Sequence, residues 1–359
     1  MNRQDEGGRM TRRSLLLALP ALVVSPRLGY ALTQAPSGGA PIAVRNLNHM
    51  TLTVKDPKRS IEFYQGLFGM PIQARQGPTT VLRIGSGPQF VAINGGPNAT
   101  ARIDHFCLTV ENFNVDRLMK VLAEHGVTPV AAGATGGGLS GGPMKSRVRM
   151  RGPDAGGATE GSPEIYFGDP DGIVVQLQDP SYCGGAGLLG EICAETPEPA
   201  LAKGLLALRD LNHFTIRVSD PQRSNAFYQK LFGLKVRATQ GSTPGWAIGP
   251  GRQFLMFIGA TGPVAPARPP AIDHVCLNLE NFNVDRILKT LESYGIKPRG
   301  AGQASGPLQS YVTMRMENRG GAKEGTPELY FTDPDGLPIQ LQDLKYCGGG
   351  GYLGDLCPS

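Results

Sequence analysis

Residues Leu47–Met70 read LNHMTLTVKDPKRSIEFYQGLFGM, and at Leu211–Leu234 the chain returns to LNHFTIRVSDPQRSNAFYQKLFGL. From His49 to Val54 polar and apolar residues alternate, and the Thr and Val among them favour a pleated strand. The remainder reads as a helix, with Pro57 near its start, Ile61, Tyr64 and Phe68 at helical spacing, and Gly69 as a stop. Two more segments recur in the same order. IDHFCLTVENFNVDRLMKVLAEHGV from Ile103 returns from Ile272, and PEIYFGDPDGIVVQLQDPSYCGG from Pro163 returns from Pro327. Long, ordered matches of this kind mark a duplicated chain.

A weaker repeat lies inside each half. After the first strand and helix, TTVLRIG and QFVAING read as strands. IDHFCLTV then restarts the pattern, followed by the VDRLMKVLAEHG helix and the strands SRVRMRG, PEIYF and GIVVQLQD. Strand, helix and three strands are thus written four times, an α+β chain. One helix per module would cover the back of a curved sheet whose other face lines a cavity.

Composition agrees. With 359 residues there is room for two domains, and 40% hydrophobic residues with 50 Gly and 30 Pro indicate a folded protein full of turns. The formal charge of +5 falls to +2 without residues 1–35, which hold five Arg against two acids. The remaining basic residues are scattered without interleaved aromatics, so nucleic acid is not expected as a partner. Residues 1–35 read as an export signal: basic residues, the apolar run Leu15–Val24, and small residues for cleavage near Ala31 or Ala35. The pair Arg12–Arg13 resembles a twin-arginine signal, which implies the export machinery as a partner, a periplasmic or secreted destination and no stable membrane insertion after cleavage. Equal spacing in an exported protein pairs Cys183 with Cys193 and Cys347 with Cys357, leaving Cys107 and Cys276 buried.

Four of the five histidines, His49, His105, His213 and His274, occupy repeat-related strand positions. By two-residue alternation His49 shares a face with Thr51 and Thr53, while Met50, Leu52 and Val54 face the opposite way. The histidines therefore sit on the less apolar face. His125 ends a helix, aligns with Tyr294, and reads as a surface or packing residue.

Taken together, these motifs over residues 45–345 resemble the vicinal oxygen chelate superfamily, which includes glyoxalase I, extradiol dioxygenases and bleomycin-resistance proteins. The resemblance implies tandem domains at 45–193 and 209–357, joined by a linker at 194–208. Each would comprise two βαβββ modules forming a curved half-barrel cup with inward metal ligands. Carried over residue by residue, it implies the sets His49, His105 and Gln176, and His213, His274 and Gln340. The last member of a set is usually Glu, so Gln keeps an oxygen donor but loses its charge. Such sets imply a divalent metal, Fe(II) or Mn(II) ahead of Zn(II) or Ni(II).

Gln178 and Gln342 share the face of Gln176 and Gln340, and either grip substrate or bond to neighbouring strands. Glu164 and Tyr166, with Glu328 and Tyr330, are candidate acid–base groups. Arg151 and Arg315 would bind an anionic substrate, or pair with those glutamates in exterior salt bridges. The DPDG aspartates, Asp169, Asp171, Asp333 and Asp335, read as turn residues. The expected protein is an exported, metal-dependent enzyme acting on a small oxygenated organic substrate by dioxygenase, isomerase or lyase chemistry. The alternative is a metal-free small-molecule binding or resistance protein.

Overall fold

The computed structural model describes residues 39–131, 133–259 and 268–358. The export signal read at 1–35 lies outside them. The first half runs β1 (Val44–Val54), α1 (Pro57–Phe68), β2 (Ile72–Gln76), β3 (Thr79–Arg83), β4 (Phe90–Gly95), β5 (Arg102–Val110), α2 (Val115–Glu124), β6 (Thr128–Pro129), β7 (Lys145–Arg151), β8 (Ser162–Gly168) and β9 (Val174–Gln178). The second half repeats it: β10 (Leu208–Val218), α3 (Pro221–Phe232), β11 (Val236–Gln240), β12 (Thr243–Ala247), β13 (Phe254–Gly259), β14 (Ala271–Leu279), α4 (Val284–Ser293), β15 (Lys297–Pro298), β16 (Gln309–Arg315), β17 (Thr326–Thr332) and β18 (Pro338–Asp343).

Each half forms one nine-stranded sheet, with order β2-β3-β4-β1-β5-β9-β8-β7-β6 in the first and the matching order in the second. The two modules of a half join where their opening strands, β1 and β5, pair antiparallel. That seam brings the two repeated histidine strands side by side.

Local chemistry explains the helices. Asp56 caps α1 by accepting from the Arg59 amide, Pro57 occupies the first turn, and Gly69 closes it in the left-handed region at φ 67°. Asn114 and Asn283 cap α2 and α4 in the same way. The buried stripe of α1 is Ser60, Phe63, Tyr64, Leu67 and Phe68, whereas Ile61 is only half-buried. Strand β2, IQARQ, was not among the expected strands, because its polar residues hide the alternation.

The two halves share one apolar core. Met50, Leu52 and Phe106 from one sheet join Phe214, Ile216 and Val275 from the other, with Phe106 and Phe214 stacked at 5.1 Å. The clasp is reciprocal. The Ile42 amide donates to Leu231 O at the end of α3, and the Leu206 amide donates to Leu67 O at the end of α1. The segment read as a linker, 194–208, therefore docks through its last residues on the first half. The DPDG turns also cross over. Asp171 receives the Ser219 amide and the Arg223 guanidinium, while Asp335 receives the Lys55 amide and the Arg59 guanidinium. Buried Asp169 and Asp333 accept the hydroxyls of Tyr228 and Tyr64 from the opposite half.

Both expected disulfides, Cys183–Cys193 and Cys347–Cys357, are formed, and Cys107 and Cys276 are free and buried. Among the described residues no helix is long and apolar enough to cross a membrane.

Candidate metal centre

On the polar face of the first sheet the strand registers line up Phe90, His49, Cys107, Gln176, Tyr166 and Arg147 across six strands. His49 on β1 and Gln176 on β9 are two strands apart, about 10 Å between backbones. Cys107 stands between them. Its small side chain lets the two longer ones meet above it, with His49 Nε2 3.0 Å from Gln176 Oε1. His105, one step along β5, brings its Nε2 to 3.2 Å from the same oxygen. The expected set of three thus converges. In the second half His213 and His274 lie with ring centres 5.7 Å apart at 80°, the same values as His49 and His105, and Gln340 stands against His213.

The ring orientations are set from behind. His49 Nδ1–H donates to Asn48 Oδ1 at 2.8 Å, and Asn48 Nδ2 donates to the Tyr182 carbonyl at 2.9 Å, which settles which way the amide faces. His105 Nδ1–H donates to Asp104 Oδ2 at 2.9 Å. Asn212 and Asp273 do the same for His213 and His274. Phe90 stacks on His49 at 4.2 Å, and Tyr166 meets His105 edge-on at 5.5 Å. Asn48, Asp104, Asn212 and Asp273 were missed in the sequence reading. Their signal was the Asn or Asp that precedes all four strand histidines.

With each Nδ1 protonated, both Nε2 atoms present lone pairs, and so does the amide oxygen they approach. Burial, followed by repulsion from His105, holds the His49 imidazole well below its ordinary pKa, so a proton is a poor bridge; His213 behaves alike. The amide oxygen, 3.0 Å from one imidazole nitrogen and 3.2 Å from the other, has the spacing of neighbouring ligands around one ion, since donors at about 2.1 Å and right angles lie about 3.0 Å apart. The set fits a divalent cation held by His49, His105 and Gln176. Among the described residues no group of three or more His, Cys, Asp or Glu could hold a metal, because the third donor is an amide.

The other candidate residues lie deeper. Glu164 accepts Arg151 Nε at 2.7 Å, Tyr182 OH at 3.1 Å and Tyr166 OH at 3.0 Å, while Arg151 also donates to Gly185 O at 2.8 Å. Arg315 and Glu328 form the same pair at 2.8 Å. The salt bridges weighed as exterior are interior, with every partner at most 7% exposed. Arg151 and Arg315 are committed to glutamate and main-chain carbonyls, which leaves neither free to grip an anion. Tyr166 and Tyr330 lie beside the histidines, with hydroxyl pKa values driven well up by burial and then by the neighbouring glutamate.

Gln178 is level with Thr109, fully buried, and neither end of its amide has a partner. Gln342 donates to Pro327 O at 3.1 Å. Neither glutamine joins its triad. The rims differ between cups: Arg147 gathers the carbonyls of Ala134, Gly136 and Gly138, whereas its counterpart Tyr311 stacks on Tyr330 at 5.0 Å beneath Arg299. His125 caps the end of α2, away from both sites.

Two cavities lie between the halves rather than at the triads. One, about 770 Å³, is lined by Arg45, Asp210, Arg237 and Arg252; the other, about 670 Å³, by Arg102, Asp104, Arg217 and Asp273.

Residues 46–177 and 210–341 each match the Glyoxalase/Bleomycin resistance protein/Dioxygenase superfamily. Similar solved structures include the Mn(II)-bound glyoxalase from Novosphingobium aromaticivorans, at 15% identity over 84% of this chain and 82% of that one, with a TM-score of 0.54. The 2,3-dioxygenase LapB from Pseudomonas sp. KL28 is 15% identical over 89% of this chain and 96% of its own, with a TM-score of 0.54. Homoprotocatechuate 2,3-dioxygenase from Arthrobacter globiformis is 17% identical over 86% and 82%, at 0.52. At such identity these likenesses concern the fold alone. No curated protein matches the chain.

Proposed function

Since the chain belongs to the Glyoxalase/Bleomycin resistance protein/Dioxygenase superfamily, we propose that it is an exported, divalent-metal-dependent enzyme acting on a small oxygenated organic substrate. The observation that carries this is the convergence of two imidazole lone pairs and an amide oxygen, with both tautomers held from behind. When bound, Fe(II) or Mn(II) would supply Lewis-acid stabilisation of a substrate oxygen. Among the described residues the set has no anionic ligand, so a dication's charge would be met only indirectly, through Asp104 behind His105, and an anionic oxygen, phenolate or enolate, is the matching substrate group. Phe90 and Tyr166 shield the set from water on two sides. Both oxygens of Glu164 are already occupied, so the first cup has no spare carboxylate there for moving a substrate proton. That favours ring-opening or lyase chemistry on a ready-made anion over isomerisation. Export is supported by Arg12–Arg13 before a short apolar run, and by two disulfides, which persist in oxidising compartments.

One observation favours a metal-free binding protein instead. The Gln176 and Gln340 Nε2 atoms are buried without partners. Turning the amide over would point its two N–H donors at both imidazoles and satisfy the set with no ion. Elemental analysis of native protein, with titration of Fe(II) and Mn(II) into the wild type and His49→Ala, His105→Ala and His125→Ala, separates the two. Metal lost with the first two substitutions and kept with the third supports the enzyme; metal-free protein indifferent to all three supports binding alone.

A further inference from the structure

Behind each second histidine stands an aspartate, and behind each aspartate an arginine, but the two arginines come from different strands. In the first half Arg102, on β5 itself, bonds Asp104 Oδ1, and Asp104 Oδ2 accepts His105 Nδ1–H at 2.9 Å. In the second half Arg217, on β10, bonds Asp273 Oδ1, and Asp273 Oδ2 accepts His274 Nδ1–H at 3.0 Å. The strand registers explain the exchange. Arg102 lies opposite Thr53 on β1, and Arg217 lies opposite Ala271 on β14. Thr53 and Arg217 occupy corresponding places in the repeat, as do Arg102 and Ala271. The guanidinium has therefore changed places with its cross-strand neighbour, yet it reaches the same carboxylate oxygen.

We propose that Arg102 and Arg217 are positioning residues that complete the two sites, each holding its aspartate so that the adjoining histidine keeps Nδ1–H and turns its Nε2 lone pair into the cup. A carboxylate with one oxygen clamped by guanidinium can aim the other at only one place, the ring N–H. Without the clamp the aspartate is free to turn to solvent or to Thr53, whose hydroxyl lies 3.5 Å away. The ring then loses the bond that fixes its tautomer. The duplicated fold shows that neither position needs an arginine for its own packing, since Thr53 and Ala271 fill the alternative places. What both halves retain is a guanidinium on the aspartate.

The two clamps differ in exposure. Arg102 is 53% exposed at its side chain, and Arg217 only 10%. Dissolved salt therefore screens the first pair more than the second, and the first site should weaken more as ionic strength rises.

That these nitrogens bind metal rests on the proposed function; their tautomeric state does not. The test uses full-length processed protein labelled with ¹⁵N-histidine, which has only five histidine rings to assign. In metal-free wild type, long-range ¹H–¹⁵N spectra should show His105 and His274 as the Nδ1–H form. Arg102→Ala should shift His105 toward the Nε2–H form while leaving His49, which is held by Asn48, unchanged. Adding Thr53→Arg to Arg102→Ala, which copies the second half, should restore His105. Arg217→Thr and Arg217→Thr/Ala271→Arg should do the same for His274. Fe(II) or Mn(II) affinity at the altered site should fall roughly 10- to 100-fold and recover in each double variant. An unchanged His105 tautomer in Arg102→Ala, or a loss that the relocated arginine fails to restore, overturns the proposal. Tautomers that respond as expected in a protein that binds no metal would leave the clamp standing and remove the enzyme.

Discussion

Asp169 and Asp333 sit where one half's turn meets the other half's helix, and their ionisation should weaken the molecule as pH rises. Asp169 Oδ1 accepts the amides of Asp171 and Ile173 at 2.9 Å each, and Oδ2 accepts Tyr228 OH at 3.3 Å; Asp333 is held the same way with Tyr64. Burial, only partly offset by the backbone amides, pushes both carboxyls up to about 6 from 3.8. The folded state thus favours the neutral acid. Its stabilisation is fully present below pH 4 or so and is lost as pH rises through about 6. A shift of about two units is worth roughly 3 kcal/mol per residue, of which about 1.5 kcal/mol falls between pH 5 and 7.5. Asparagine keeps the acceptor oxygen for the two amides and cannot ionise. Urea unfolding of the wild type and of Asp169→Asn/Asp333→Asn at several pH values isolates these groups, because the buried histidines contribute equally to both proteins. The stability of the variant relative to wild type should grow by about 3 kcal/mol from pH 5 to pH 7.5 for the two sites together. A difference that stays flat across that range would refute the reasoning.

Other outcomes follow from the two sites. Arg151→Met leaves the Glu164 carboxylate buried without its cation and should cost about 3–5 kcal/mol in urea unfolding, whereas Arg151→Met/Glu164→Leu should recover most of it. Gln176→Glu should raise divalent-metal affinity by supplying an anionic donor, measured by competition with a chelating dye, and should make the metal-free protein less stable by placing a carboxylate among buried acceptors. Cys183→Ser/Cys193→Ser opens a loop of about ten residues and should cost about 2–3 kcal/mol. It should also loosen the Tyr182 carbonyl that orients Asn48 and His49, visible as broadened His49 resonances. Burial holds the His49 and His213 imidazoles well below their ordinary range, so proton competition should release metal only at a pH well under that range; release already near pH 6.5 would count against these two ligands.

Much of the fold was legible because it is written in local rules and then repeated. Strand alternation, Pro57 at a helix start, Gly69 at its end and four returns of one pattern specify the modules without reference to any distant contact. The histidine face was legible for the same reason, since a period of two separates polar from apolar sides whatever the sheet packs against. Residue pairing within a site was not. Sequence places Glu164 and Arg151 near one another but leaves undecided whether they look inward or outward, because a charge on a strand carries no mark of its burial; closure of the cup by Tyr182 and the disulfide loop decides it. The reciprocal clasp was equally hidden, since Asp169 and Tyr228 have nothing local in common and meet only when the halves share a core. The exchange of Arg102 for Arg217 shows the limit most clearly. Aligned residue by residue, the halves each seem to lack the other's arginine. Only cross-strand register, a property of the assembled sheet, brings both side chains to the same carboxylate.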